Sequence, residues 1–169
     1  ELPVIVKPAI VVFDITPYRE FFSYTFGSAQ NYTYNYKVPV DFLKELQEVT
    51  KELGITLYFK QKRNTLNNYK MINKKYLNFI RKFRKNDNVV EVNPGISADR
   101  VCKNFNVVLS MPFTSPGVTA SLFGKESIYY DPTGTIHQND RASHNIKVIR
   151  GKEELKYYLN NLLESDFNF

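Results

Sequence analysis

Ser110, Thr114, Ser115 and Gly117 fall within the stretch SMPFTSPG, directly after the apolar run Val107–Leu109. Hydroxyls and a glycine where a strand runs into a helix suit the holding of an anion such as phosphate. The first-turn amides lack intrahelical partners there, and the positive end of the helix dipole points outward. The spacing is neither a Walker nor a dinucleotide fingerprint, and an ordinary capped strand-helix turn explains it equally well. A second polar group, Lys60-Gln61-Lys62-Arg63-Asn64, follows the apolar run Ile55–Phe59. Three cations at the end of a buried strand point to the edge of an open α/β sheet where ligands bind, or else form a solvated basic loop. Asp14 and Arg19 follow Ala9–Phe13 in the same manner. They are ligand-edge candidates, or a turn cap and a surface ion pair.

These groups need strands to carry them and helices to space them. Val107–Leu109 and Ala9–Phe13 have the continuous apolar character of strands buried on both faces. Strands are also expected at 55–59, 89–92, 127–130 and 146–149. Helices are expected at 40–53, within 67–86, from a Ser97 cap through Phe105, at 118–123 and at 153–163. Thr114 or Ser115 is expected to cap the fourth of these, with Pro116 at its first position and Gly124 at its end. Asp131-Pro132-Thr133-Gly134 is the loop after the fifth strand. Strand and helix alternate with lengths that fit right-handed crossovers. The pattern predicts one doubly wound, mainly parallel Rossmann-like α/β domain over 9–165, with helices on both faces. Residues 1–8, punctuated by Pro3 and Pro8, are expected to be a linker or an edge strand.

The chain has 169 residues, 43% of them hydrophobic, and a formal net charge of +6. That length supports one domain with a substantial core. The charge favours polyanions, nucleotides or an anionic membrane surface without choosing among them. No helix-turn-helix, zinc-finger or RNA-binding sheet motif is visible, so nucleic acid is not an expected partner. The helix within 67–86 carries a buried stripe (Tyr76, Phe79, Ile80, Phe83) and basic residues on its other faces, as a solvated or a lipid-facing helix would. The aromatic stretch Phe21–Tyr36 is too long for a simple connector and points to a partner surface. The single cysteine, Cys102, is expected to be packing; it excludes an intrachain disulfide and fits a reducing compartment. His137 and His144 lie without the carboxylate or cysteine spacing of a metal site.

The run from Val107 to Gly134 resembles the C-terminal, nucleotide-sugar-binding half of two-domain GT-B glycosyltransferases that build bacterial capsule and lipopolysaccharide chains. The residues that carry the resemblance are Ser110, Thr114-Ser115-Pro116-Gly117, Gly124-Lys125 and Tyr129-Tyr130-Asp131-Pro132-Thr133-Gly134. Phe59–Arg63 resembles the family's basic loop after the second strand. The resemblance implies a cytoplasmic enzyme, at the inner face of the membrane, whose substrate is a nucleotide sugar and whose acceptor is a glycan or a lipid-linked glycan. It implies that Thr114, Ser115 and the following amides grip the donor's phosphates. Lys60, Lys62 or Arg63 would neutralise them without a metal, and no cofactor is required. Asp131 and Thr133, with Gly134 in the same loop, would lie near the base or ribose. The chain would then be half of a catalytic unit, its partner an N-terminal domain, with Asp14 and Arg19 in acceptor or interdomain contacts. Two departures stand out: the paired glutamates of retaining members are missing, with Glu126 alone after the helix, and no general base can be placed. A teichoic-acid-type phosphotransferase acting on CDP-glycerol or CDP-ribitol, and a non-catalytic nucleotide- or glycan-binding domain, are the alternatives.

Overall fold

Each apolar run becomes a strand whose side chains alternate between two covered faces, which is why the runs are continuous rather than alternating. The computed structural model describes residues 1–21, 35–61, 70–165, 167 and 169. Its strands are β1 (Ala9–Phe13), β2 (Thr56–Lys60), β3 (Val89–Val92), β4 (Val107–Ser110), β5 (Glu126–Asp131) and β6 (Lys147–Arg150). They form one sheet in the order β3-β2-β1-β4-β5-β6, and every neighbouring pair is parallel. The helices are α1 (Lys37–Glu52), α2 (Lys74–Phe83), α3 (Ala98–Asn104), α4 (Ser115–Leu122) and α5 (Gly151–Glu164), with a 3-10 turn at Arg141–Ser143.

α1, α2 and α5 cover one face, where Phe42, Leu46, Ile80 and Leu155 pack on Ile10, Leu57 and Leu109. α3 and α4 cover the other, where Val101, Cys102 and Ala120 pack on Val11, Tyr58 and Val108. This is the doubly wound arrangement. β1 leads away toward α1 on one face and β4 into α4 on the other, so the chain parts between them at their carboxyl ends. An open α/β sheet binds its ligands in the crevice opened by such a reversal of strand order.

Residues 1–8 add no strand to the sheet. Leu2 and Ile5 pack against the second face, and the Tyr58 hydroxyl donates to Val4 O and accepts from the Val6 amide, both at 2.8 Å. α1 begins at Lys37, three residues before the expected start, because Pro39 sits in the first turn, where a missing N–H breaks no helical bond. α4 likewise begins at Ser115, with Pro116 at its second position. Ser97 caps α3 by accepting from the Arg100 amide at 3.3 Å, as expected. Cys102 is buried, its Sγ 3.7 Å from Pro116 O, and burial, aided by Asp99, pushes its thiol up to about 12. The aromatic segment over 22–34 lies outside the described residues.

Phenols buried in this core make alkaline pH a test of the packing. Burial raises the pKa of Tyr76, Tyr129, Tyr130 and Tyr158; Asp14 adds to the effect at Tyr76, Glu45 at Tyr130 and Glu126 at Tyr158. Once unfolded, these groups ionise near 10, while in the fold their ionisation is shifted to higher pH. Their contribution is therefore complete below pH 10 and lost as pH rises beyond it, at most about 1.4 kcal/mol per pH unit for each group. The buried Cys102 thiol, also raised, acts in the same sense, whereas Lys60, whose pKa is lowered chiefly by burial, acts in the opposite one. The urea midpoint is expected to fall between pH 9 and pH 11, and Tyr130→Phe to flatten that fall by up to one proton.

Candidate functional site at the carboxyl edge of the sheet

The register brings the expected polar groups to one edge. Lys60 pairs with Phe13, Phe13 with Ser110, and Ser110 with Tyr129. Lys60 and Ser110 are thus two strand spacings apart, about 10 Å, flanking the end of β1. Asp131 ends β5 on the same edge, two residues beyond Tyr129. Lys125 and Glu126 occupy the opposite, amino edge. There Lys125 donates to Asn106 Oδ1 at 2.9 Å and Glu126 accepts a hydrogen bond from Tyr158.

The turn from β4 into α4 is held from beneath. The Thr114 hydroxyl donates to Met111 O at 2.7 Å instead of capping the helix. Thr114 O accepts from the Tyr129 hydroxyl and from the Gly117 amide, each at 3.2 Å. Gly117 O accepts from the Ser127 hydroxyl at 2.7 Å. The helix start is therefore pressed onto β4 and β5, so closely that a Cβ on Gly117 would lie 2.3 Å from Tyr129 Cε1 and 3.0 Å from Ser110 Oγ. Ser110 is completely buried, and its hydroxyl has no hydrogen-bond partner. A buried hydroxyl left unpaired costs about 1–3 kcal/mol, and this one lies beneath the first turn of α4. Ser115, at the first helical position, is exposed.

The charged candidates have definite engagements. Lys60 is buried; its ammonium donates to Gln61 O (2.9 Å) and Pro94 O (3.0 Å), and Asp14 partly offsets the lowering of its pKa by burial. Asp14 is buried and accepts from the Thr16 hydroxyl at 3.2 Å and from the Tyr76 hydroxyl. Arg19 turns toward the lead into α2, its Nε donating to Ile72 O at 3.3 Å and its amide to Met71 O at 2.8 Å. Asp131 organises its own loop: Oδ1 accepts from the Thr133 amide (2.9 Å) and hydroxyl (2.6 Å), and Oδ2 from the Ile136 amide (2.8 Å). Gly134 in that loop has φ +67°, the left-handed region glycine enters without strain. Lys62 and Arg63 lie outside the described residues. Both histidines are exposed, and among the described residues no cluster of His, Cys, Asp or Glu could hold a metal ion. Among the same residues no helix is long and apolar enough to cross a membrane.

Two residues not among the expected candidates complete the edge. Tyr129 faces α4 while Tyr130 faces α1, where its hydroxyl donates to Glu45; neighbours in a strand point to opposite faces. The alternation was open to view in the Tyr-Tyr pair. Phe113 has φ +63°, is 42% exposed, and sets its ring 6.1 Å from that of Tyr129.

No curated protein matches the chain. Among solved structures, the UDP-GlcNAc 2-epimerase from Methanocaldococcus jannaschii is similar, with a TM-score of 0.55 and 12% sequence identity. The likeness covers 98% of this chain and 41% of that one, and at this identity it speaks for the fold alone. Residues 2–159 match a family described as "Polysaccharide biosynthesis PFTS motif protein", and Pro112-Phe113-Thr114-Ser115, the turn just described, spells those four letters. The chain is thus a Rossmann-like member of the polysaccharide biosynthesis PFTS motif family.

Proposed function

We propose that this chain is the donor-binding domain of a GT-B-type glycosyltransferase of surface-polysaccharide assembly, and that it holds a nucleotide sugar by its phosphates at the start of α4. One observation carries the reading: Ser110 Oγ, fully buried and unpaired, lies beneath a helix N-terminus at the carboxyl edge. An anion resting on the first turn of α4 would meet the dipole and the exposed Ser115 hydroxyl, with the Ser110 hydroxyl as a donor from below. In the transfer step the bond between the sugar's anomeric carbon and the phosphate oxygen breaks. Its electron pair leaves on the nucleoside phosphate, and the acceptor oxygen forms the new bond while losing its proton to a base on the domain that faces this one. Donors fixed at the departing phosphate stabilise that charge without a metal. Lys60 then acts through position: its ammonium ties the end of β2 to Pro94 beside the crevice. A glycan or lipid-linked acceptor and the cytoplasmic face of a membrane belong to the same proposal.

Calorimetric titration of the full chain with UDP, GDP, CDP and CMP tests the proposal, and silence across the panel would overturn it. Ser110→Ala separates a ligand group from a packing group. Deleting a buried, unpaired hydroxyl relieves about 1 kcal/mol or more, so the variant should melt at a higher temperature. It should nonetheless bind the nucleotide about tenfold more weakly, the loss of roughly 1.4 kcal/mol that one hydrogen bond to a charged group supplies. Ser115→Ala should weaken binding by a similar factor without raising the melting temperature.

A further inference from the structure

The turn proposed to hold the phosphates carries one bulky residue in the left-handed region of backbone space. Phe113 sits at φ +63°, a region a bulky residue without a turn-forming side chain rarely occupies. Strain of this kind persists where the surroundings over-determine it, and it gathers at ligand clamps. Here it holds an aromatic ring at the surface. Phe113 is 42% exposed, while its neighbours Met111 and Pro112 are buried. The ring leans on Tyr129, with centroids 6.1 Å apart and planes at 62°. Tyr129 lies in β5, so the ring sits on the side of the turn away from β1, toward the loop that Asp131 organises.

We infer that Phe113 is the stacking wall for the base of the bound nucleotide, which fixes the ligand's direction along the edge. The phosphates rest on α4, the nucleoside runs over the end of β5, and the transferable group points to the crevice between β4 and β1. The inference rests on the phosphate site proposed above and adds a polarity that site does not supply by itself. A flat aromatic base has a π-face to offer the exposed ring; phosphate has none.

The test compares UDP, GDP and CDP with inorganic pyrophosphate on the full chain. Phe113→Ala should weaken the nucleoside diphosphates about tenfold or more, as loss of a base-aromatic stack does, and leave pyrophosphate unchanged. Phe113→Gly, which relieves the left-handed backbone, should melt above Phe113→Ala yet lose the same nucleotide affinity; a loss that instead tracked stability would make the ring a packing residue. The chain has no tryptophan, so Phe113→Trp gives a single indole, excited selectively over the tyrosines, whose emission nucleoside diphosphate should quench and pyrophosphate should not. Equal weakening of both ligands by Phe113→Ala, no weakening of either, or an emission blind to saturating nucleotide would overturn the stacking role and leave the phosphate site standing. Failure of both pyrophosphate and the nucleotides to bind the wild-type chain would remove the phosphate site itself, and the stacking role with it.

Discussion

Gly117→Ala is expected to lower the stability of the domain by about 2 kcal/mol and to abolish binding at the start of α4. Two effects oppose each other. Alanine favours a helix over glycine by about 1 kcal/mol, and no positive φ at Gly117 adds a backbone penalty. The added methyl, however, would stand 2.3 Å from Tyr129 Cε1 and 3.0 Å from Ser110 Oγ. The tyrosine ring has little room to yield: it is fully buried and its hydroxyl is bonded to Thr114 O. Overpacking of this kind costs about 1–3 kcal/mol, and more where rigid groups collide. The upper end of that range applies here, which leaves a net loss of about 2 kcal/mol. In a domain of this size that lowers the melting temperature by roughly 4–8 °C. The easiest relief is for α4 to lift off the sheet, which separates Ser110 from the first turn. Nucleotide affinity should therefore be lost even at temperatures where the variant is folded. A double-mutant cycle with Tyr129→Leu should show a coupling that favours the pair, because the smaller side chain vacates the space the methyl needs. Additive effects, or full binding by Gly117→Ala, would contradict this close-packed description of the turn.

The same turn shows what the sequence discloses and what it withholds. Strands were legible because burial on both faces leaves no polar alternation: Ala9–Phe13 and Val107–Ser110 appear where the apolar runs lie. The parallel, doubly wound character of the sheet followed from alternating strands and helices, and with it the expectation that Lys60, Asp14 and Ser110 share one edge. Helix starts were less legible where proline intervenes. The helix expected from 40 leaves Pro39 outside, and Pro116 reads as a first helical residue, yet they lie third and second in their helices, where a missing N–H does no harm. Side-chain engagements were hidden wherever the partner is distant in the chain. Lys60 reads as a free cation beyond a strand until Pro94 O, brought in by β3, accepts a hydrogen bond from its ammonium. Thr114 reads as a cap and does hold the N-cap position, but its hydroxyl donates back to Met111 O and makes no capping bond. The left-handed backbone at Phe113 follows from the tight passage between β4 and α4, and no residue type there announces it.

Asp131→Ala should produce the other large effect, about 2–4 kcal/mol, and it separates two roles for this carboxylate. The resemblance to glycosyltransferases assigns Asp131 to the base or ribose. In the fold it is fully buried, and its oxygens already accept from the Thr133 amide, the Thr133 hydroxyl and the Ile136 amide. Hydrogen bonds to a charged acceptor contribute about 1.5–3 kcal/mol each; because the loop is exposed at Thr133 and Thr135, water recovers part of that sum when the carboxylate is removed. Ile136 packs with Val148 and Tyr129, so freeing its amide loosens the support under the Phe113 ring as well. Hydrogen exchange supplies the decisive readout. If Asp131 positions the loop, the amides of Thr133 and Ile136 should exchange faster in Asp131→Ala without any ligand, and nucleotide affinity should fall with them. Asp131→Asn keeps one carbonyl acceptor but turns an amide NH2 toward the donors on the other side, so it should lie between wild type and Asp131→Ala in both exchange and affinity. A variant that lost affinity while both amides stayed protected would assign the carboxylate to the ligand itself.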